Sequence, residues 1–327
     1  RERDGLAGMV GGGTLSEFVG KSPSVIRLKE TISMIAPKKV TVLLEGESGT
    51  GKEIVARAIH QLSGRKRFVA INCGAIPENL FESELFGYEK GAFTGALHSR
   101  PGLIEESSRG TLFLDEVSEM PPALQVKLLR VLETSTNQRL GGNVSRRLDL
   151  RVIAATNRDL ESYVIGGQFR SDLYYRLNVV KLRIAPLREK REDIPVLVEY
   201  FLPRLCQELG LRKPPALSAG LLDEMMGYDW PGNIRELRNK LLSLLAVNGD
   251  REILSSIGLE NPENEKCIEK AFEEVSLDEM EKRYISWLLK RHSGNKSETA
   301  RILEISKSTL YEKIKRWESF ECDNDTS

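Results

Sequence analysis

The chain has 327 residues, 40 % of them hydrophobic, and its 48 Lys+Arg balance 48 Asp+Glu. That size suits two or three globular units, no run approaches the ~20 apolar residues of a membrane span, and zero net charge argues against a basic surface along the whole chain. Four scattered cysteines (Cys73, Cys206, Cys267, Cys322) and three scattered histidines suggest neither a disulfide framework nor a zinc or His-based metal site, so a reduced, cytoplasmic setting is expected.

In chain order, residues 1–16 are Gly-rich and read as a linker, and a start at Arg1 rather than Met implies an upstream region. From 17 to 185, short apolar runs at 40–44, 68–71, 111–114 and 150–154 alternate with helical patterns, which predicts an α/β unit on a buried parallel sheet. From 186 to 254 the pattern is helical, broken at Pro214-Pro215 and at Trp230-Pro231-Gly232, and reads as a lid. Residues 255–275 are rich in Glu and Asn and read as a second linker, and 276–320 form a small all-α unit.

Gly46-Glu47-Ser48-Gly49-Thr50-Gly51-Lys52-Glu53 lies between an apolar strand and a helical stretch. That is the setting of a phosphate-binding loop, whose backbone N–H groups curl round phosphates while the lysine adds charge. Glu53 stands where a Mg²⁺-binding Ser/Thr is usual. About 60 residues on, the run 111–114 ends in Asp115-Glu116, which suits Mg²⁺ at Asp115 and a general base at Glu116. The run 150–154 leads to Asn157, either a γ-phosphate sensor or a turn residue. Arg170 and Arg176 are six apart, roughly 240° on a helix. One can serve as an arginine finger to a neighbouring subunit, and surface ion pairs are the alternative. Arg235, at the start of a lid helix, can reach the phosphates from the lid.

Gly91-Ala92-Phe93-Thr94-Gly95-Ala96 sets an aromatic and a hydroxyl between glycines. The backbone there is expected to be mobile and Phe93 hard to bury, as in a partner anchor or an ordinary loop.

Ser276 to Glu279 reads as a capping box, followed by an apolar face at Leu277, Met280, Tyr284 and Leu288. A second helix to about Leu303 buries Ala300 and Leu303, and a third, from Lys307 to Glu318, buries Leu310, Ile314 and Trp317. Seven basic residues against three acidic ones lie between Arg291 and Trp317. Lys296, Lys307, Ser308, Thr309, Tyr311, Lys313, Lys315 and Arg316 are left for solvent or DNA. A short turn followed by a helix with a polar start is the recognition-helix arrangement; a three-helix protein-interaction module is the alternative.

Together these residues resemble the bacterial enhancer-binding proteins, the sigma-54-dependent activators of the AAA+ class, over nearly the whole chain. Residues 91–96 match that family's GAFTGA loop without substitution, and its phosphate loop also reads GESGTGKE. The resemblance implies a AAA+ domain with a helical lid and a Fis-type helix-turn-helix, and ATP and Mg²⁺ as cofactors. It further implies Asp115 and Glu116 as Walker B acids, Asn72 as the residue restraining Glu116, Arg170 and Arg176 acting in trans, Arg235 as second sensor, and 139–147 as a second pore loop. The implied partners are sigma-54 RNA polymerase at Gly91–Ala96 and double-stranded upstream DNA. The implied assembly is a hexameric or heptameric ring, dimeric when inactive and without a membrane. The implied output is ATP-driven conversion of a closed promoter complex to an open one. A AAA+ regulator or initiator that does not work through sigma-54 is the alternative. Arg109, where Gly is frequent, and Arg238, where an acid is frequent, depart from the pattern.

Overall fold

The computed structural model describes residues 16–215 and 217–248, then Tyr284, Ile285, Leu288, 295–303, Ile305, Lys307, Thr309, Leu310 and Lys313. The chain divides into two compact units, Arg1–Ile257 and Gly258–Ser327.

The first unit opens with α1 (Pro23–Ile35). Ser22 caps it, Pro23 sits where a missing N–H costs nothing, and Val25, Leu28, Ile32 and Ile35 bury one stripe. Then follow β1 (Val42–Glu45), α2 (Lys52–Leu62), β2 (Phe68–Asn72), α3 (Glu78–Phe86) and a two-residue hairpin of β3 (Gly87–Tyr88) and β4 (Arg100–Pro101). Next come α4 (Leu103–Glu106), β5 (Thr111–Asp115), α5 (Pro122–Thr134) and a hairpin of β6 (Thr136–Gln138) with β7 (Ser145–Arg147). The α/β part closes with β8 (Arg151–Thr156), α6 (Leu160–Ile165), α7 (Ser171–Leu177) and β9 (Val180–Arg183).

The main sheet has the order β2-β5-β8-β1-β9, with all strands parallel. The expected parallel α/β architecture is present, with one strand, β9, beyond the four apolar runs. Alternate residues feed opposite faces. Leu43, Leu112, Leu114, Val152 and Ala154 join one core; Val42, Leu44, Phe113, Ile153 and Ala155 join the other. Burial on both faces is why these strands read as continuous apolar runs, and each fully buried Leu or Ile contributes about 1.5–3 kcal/mol.

The lid comprises α8 (Asp193–Glu208), α9 (Ala219–Gly227) and α10 (Asn233–Asn248). Trp230, between the last two, is fully buried and donates from Nε1 to the Met225 carbonyl at 2.8 Å.

In the second unit α11 spans Lys296–Ile302. Ile285, Ala300 and Leu310 form its core, with Leu303 and Ile305 against them. One reading of the pattern is corrected. Tyr284 is 51 % exposed, and its neighbour Ile285, 1 % exposed, takes the buried place. A one-residue shift in helix phase turns a side chain by about 100°, so an apolar Ile next to an amphipathic Tyr wins the inward position. Leu277, Met280, Ile314 and Trp317 lie outside the described residues.

Candidate active site

The phosphate-loop segment joins β1 to α2. Gly49 and Gly51 have left-handed backbones (φ 79° and 98°), with Gly51 as the N-cap of α2. The buried Lys52 folds back over the loop, its Nζ donating to the carbonyls of Gly46 at 2.7 Å and Glu47 at 3.0 Å. Burial pushes its pKa down, while Asp115 and Glu116 pull it back up. An ammonium so placed, short of full hydration, is ready for an anion at the N-terminus of α2. Glu53 points elsewhere, paired with Arg57 one turn on at 2.6 Å.

Register sets the acids beside β2, because Asn72 faces Asp115 across the ladder. Burial raises the Asp115 carboxyl, against the pull of Lys52. Its Oδ1 accepts the Glu116 N–H at 3.0 Å. Glu116 itself has φ 52° and ψ 45°, a left-handed conformation that costs a non-glycine residue roughly 1–2 kcal/mol. Asn72 Oδ1 accepts the N–H groups of Gly74 at 2.8 Å and Ala75 at 3.1 Å. A Cβ on Gly74 would lie 2.9 Å from Glu116 Oε2 and 3.5 Å from Asn72 Oδ1, so the two side chains converge above Gly74. No hydrogen bond joins them here; Asn72 grips its own turn. At the tip of β8, Thr156 is buried with its hydroxyl on Ser118 and the Arg158 carbonyl, and Asn157 is exposed.

The lid meets the phosphate loop through Arg235, as expected, and through Arg188 and Asn233, which sequence reasoning passed over. Arg188 clamps Glu47 with two bonds, at 2.8 and 2.5 Å. This holds the Glu47 carboxyl below its usual range. The buried Asn233, left-handed at φ 54°, accepts the Leu187 N–H and donates to Glu47 and to the Ser48 carbonyl. Ile234 N–H reaches the Gly49 carbonyl at 3.1 Å, and Arg235 donates to Ser48 Oγ at 3.1 Å. The break at Trp230-Pro231-Gly232 was the available signal for Asn233. Nothing local marked Arg188, whose partner is 141 residues away. Arg238 pairs with Glu208.

The loop at Gly91–Ala96 carries bonds of its own at its base. Gly91 N–H bonds the Ala96 carbonyl, Ala96 N–H bonds that of Phe93, and the Phe93 ring packs edge-on against Tyr88 with centroids 5.0 Å apart. Phe93 is 46 % exposed and Thr94 is exposed. The β6–β7 hairpin braces its base. Leu140 exchanges backbone bonds with Gly87 and Glu89, and a Cβ on Gly141 would lie 2.9 Å from Ala92 Cα. Arg139 grips Glu105 with two bonds, at 2.9 and 2.7 Å, and with Arg146 it holds Glu89.

Arg170 is the N-cap of α7 rather than part of it, and its guanidinium is on Asp172 at 2.7 Å. Arg176 donates to the Leu132 carbonyl. In the second unit Lys307 is exposed, and Lys296, Thr309 and Lys313 are half-buried. Ser308, Tyr311, Lys315 and Arg316 lie outside the described residues.

A parallel sheet with a phosphate loop after its first strand, paired acids two strands away and a helical lid bonded to that loop define a P-loop nucleotide-binding domain of the AAA+ class. Residues 18–183 match the family described as the sigma-54 interaction domain, 188–261 the AAA+ ATPase lid domain, and 276–317 the bacterial regulatory proteins of the Fis family. A signal-transduction and transcriptional-control protein of Clostridium beijerinckii is 46 % identical, over 93 % of this chain and 49 % of its own length. The C4-dicarboxylate transport regulatory protein DctD of Rhizobium meliloti is 45 % identical, over 91 % of this chain and 64 % of its own. The transcriptional regulatory protein ZraR of Escherichia coli is 44 % identical, over 93 % and 70 %. Among solved structures, NtrX of Brucella abortus in complex with ATP matches with TM-score 0.71 and 35 % identity, over 92 % of this chain and 69 % of that one. The chain thus spans about half to two thirds of the first two relatives' length. It belongs to the sigma-54-dependent transcriptional regulators, and carries their AAA+ domain, lid and Fis-type helix-turn-helix segment. Among the described residues, no helix is long and apolar enough to cross a membrane.

Proposed function

We propose that this chain binds upstream DNA through its Fis-type segment, assembles into a ring, and uses ATP hydrolysis to remodel sigma-54 RNA polymerase from a closed to an open promoter complex. One continuous stretch of chain supports this reading. The Asn72 turn beside Glu116 runs into α3 and the β3 strand, and β3 runs into the loop at Gly91–Ala96. A change at the acids therefore has a short covalent and hydrogen-bonded route to the loop, of the kind a two-state switch needs.

In the hydrolysis step Lys52 and the α2 N-terminus hold the phosphates, and Glu116 takes a proton from the attacking water. Arg235 reports the phosphates to the lid. The half-buried carboxylate of Asp115 beside Lys52 fits a magnesium ion, which when bound neutralises phosphate charge. Among the described residues no cluster of three or more His, Cys, Asp or Glu offers a separate metal site. Asn72 restrains the Glu116 carboxylate until the nucleotide is seated for hydrolysis, and its exchange between Glu116 and its own turn moves α3 and the loop. Arg170 and Arg176 serve the neighbouring subunit's nucleotide, and Phe93 and Thr94 contact sigma-54.

The test is promoter opening by sigma-54 polymerase with and without ATP. Opening only with hydrolysable ATP is expected; opening by the housekeeping polymerase alone would refute the reading. ATPase activity per protomer should rise with concentration. Arg170→Ala protein mixed with Lys52→Ala protein should recover turnover that neither has alone.

A further inference from the structure

At the N-terminal ends of the strands, the opposite end from Asp115, a recess of about 350 Å³ opens beside the C-terminus of α1 and the turn after α2. Lys38, Lys39, Arg65, Lys66, Arg109 and Arg151 line it. The one carboxylate in the lining, Asp149, is already shared by Lys39 at 2.5 Å and Arg65 at 3.1 Å. Among the described residues Lys38, Lys66 and Arg109 have no ion pair.

Two residues mark this recess as more than scattered surface charge. Arg151 is 2 % exposed. Its guanidinium donates to the Ile35 and Ala36 carbonyls at the negative end of α1, and its Nε has no partner. Burial and the nearby Arg65 push Arg151 down to about 10, and Arg151 in turn helps push His60 down, after burial. Six cations thus share the recess with a single carboxylate. Arg109 has φ 61°. A glycine would adopt that backbone without strain, so this arginine is held at a conformational cost with no acid to pair with.

The cations come from separate stretches of chain, and Lys38, Lys39, Lys66 and Arg109 are exposed around an open mouth. Several exposed cations round an open mouth suit the phosphates of a polymer, whereas a single small anion is better held by converging amides, as in the phosphate loop. We propose that this recess is a second anion site of the chain, taking the sugar–phosphate backbone of duplex DNA without reading its sequence. It rests on the DNA-binding reading above only in that the Fis-type segment tethers the duplex and raises its local concentration.

The experiment measures binding of the full chain to a non-specific duplex across a range of salt. The variant Lys38→Gln/Lys66→Gln/Arg109→Gly should lower the magnitude of the slope of log K against log salt by about 2–3, at roughly 0.9 for each phosphate no longer neutralised. Its DNA-free ATP turnover should be unchanged. Arg109→Gly alone should melt no lower than the parent, which separates a binding defect from a folding defect. A control with equal charge removed elsewhere, Arg27→Gln/Arg212→Gln/Lys213→Gln, should keep the parent slope. An unchanged slope in the recess variant, or an equal drop in the control, overturns the proposal. If Lys307→Gln lowers the slope and the recess variant does not, the recess is wrong and the DNA-binding reading stands. If the parent binds no duplex, both fall. Loss of inorganic tripolyphosphate binding with duplex affinity intact would assign the recess to a small phosphate compound and overturn the DNA proposal.

Discussion

Gly49 in the phosphate loop and Gly95 in the loop at Gly91–Ala96 both have left-handed backbones, at φ 79° and 102°. Their surroundings differ. A Cβ on Gly49 would sit 2.2 Å from the Gly232 carbonyl oxygen and 3.1 Å from Arg235 Cβ, whereas a Cβ on Gly95 would meet nothing within 4 Å. The same residue type therefore does two jobs. In the phosphate loop glycine lets the lid's backbone come into contact, which makes a tight cradle. In the other loop it only permits a turn, and open space around that turn leaves the tip able to move. We read the first as the site of chemistry and the second as its output.

This contrast can be broken by substitution, in order of effect on ATP turnover. Glu116→Gln should leave ATP binding intact and lower turnover about 10²–10⁴-fold, because the water loses its base; turnover within tenfold of the parent would remove Glu116 from the chemistry. Gly49→Ala should come next. The added methyl must displace the Gly232 carbonyl, at about 1–3 kcal/mol of overpacking, and the apparent ATP KM should rise more than tenfold. Gly95→Ala, burdened only by its left-handed backbone, roughly 1–2 kcal/mol, should leave turnover within about twofold. If the two alanines behaved alike in ATPase assays, the distinction between cradle and tip would be lost.

The Glu47–Arg188 clamp sharpens the comparison through pH. Arg188 holds Glu47 below its usual range, so the clamp's contribution is present above the unfolded Glu pKa of about 4.3 and is lost as pH falls through the lower folded value. Both side chains are near 40 % exposed, so the contribution at neutral pH is below about 1 kcal/mol. Thermal melts of Arg188→Ala should show a small deficit at pH 7 that shrinks toward pH 3. A deficit that grows on acidification would mean Glu47 is not the partner that matters. Thr94→Ala should have the smallest effect on turnover, none within error, while promoter opening is lost. Loss of ATPase with opening retained would move that loop into the catalytic site.

Much of the fold was legible in the sequence, for a physical reason. Three strands, β1, β5 and β8, are buried on both faces, so each is a run of apolar residues that no solvent-facing element would tolerate, and the edge strand β2 keeps Phe68, Val69 and Ile71 as its apolar signal. The phosphate loop and Asp115-Glu116 were readable because each depends on adjacent residues between a strand and the next turn. The fifth strand, β9, was harder. It lies at the sheet edge with Lys181 and Arg183 exposed, and its pattern, half-buried, exposed, buried, exposed, is short. The β6–β7 hairpin is polar throughout, Thr-Asn-Gln against Ser-Arg-Arg. It holds its place through Asn137, which donates to the Phe86 carbonyl and to Glu105.

Contiguous chemistry was therefore written in the chain itself: the phosphate loop, the acidic strand end, the GAFTGA segment and the alternation of strand and helix. These depend on neighbours a few residues apart, and local backbone preference with apolar burial is enough to specify them. Which distant groups meet is a property of the folded molecule alone. Arg188 finds Glu47, Asn233 closes on the Ser48 carbonyl, Arg139 finds Glu105, and the Asn72 and Glu116 side chains converge above Gly74. Each of these pairs joins segments far apart in the chain. Their partners are set by strand order and by the angle at which the lid returns, and the pairwise energy of any one contact is too small to reveal it in the sequence.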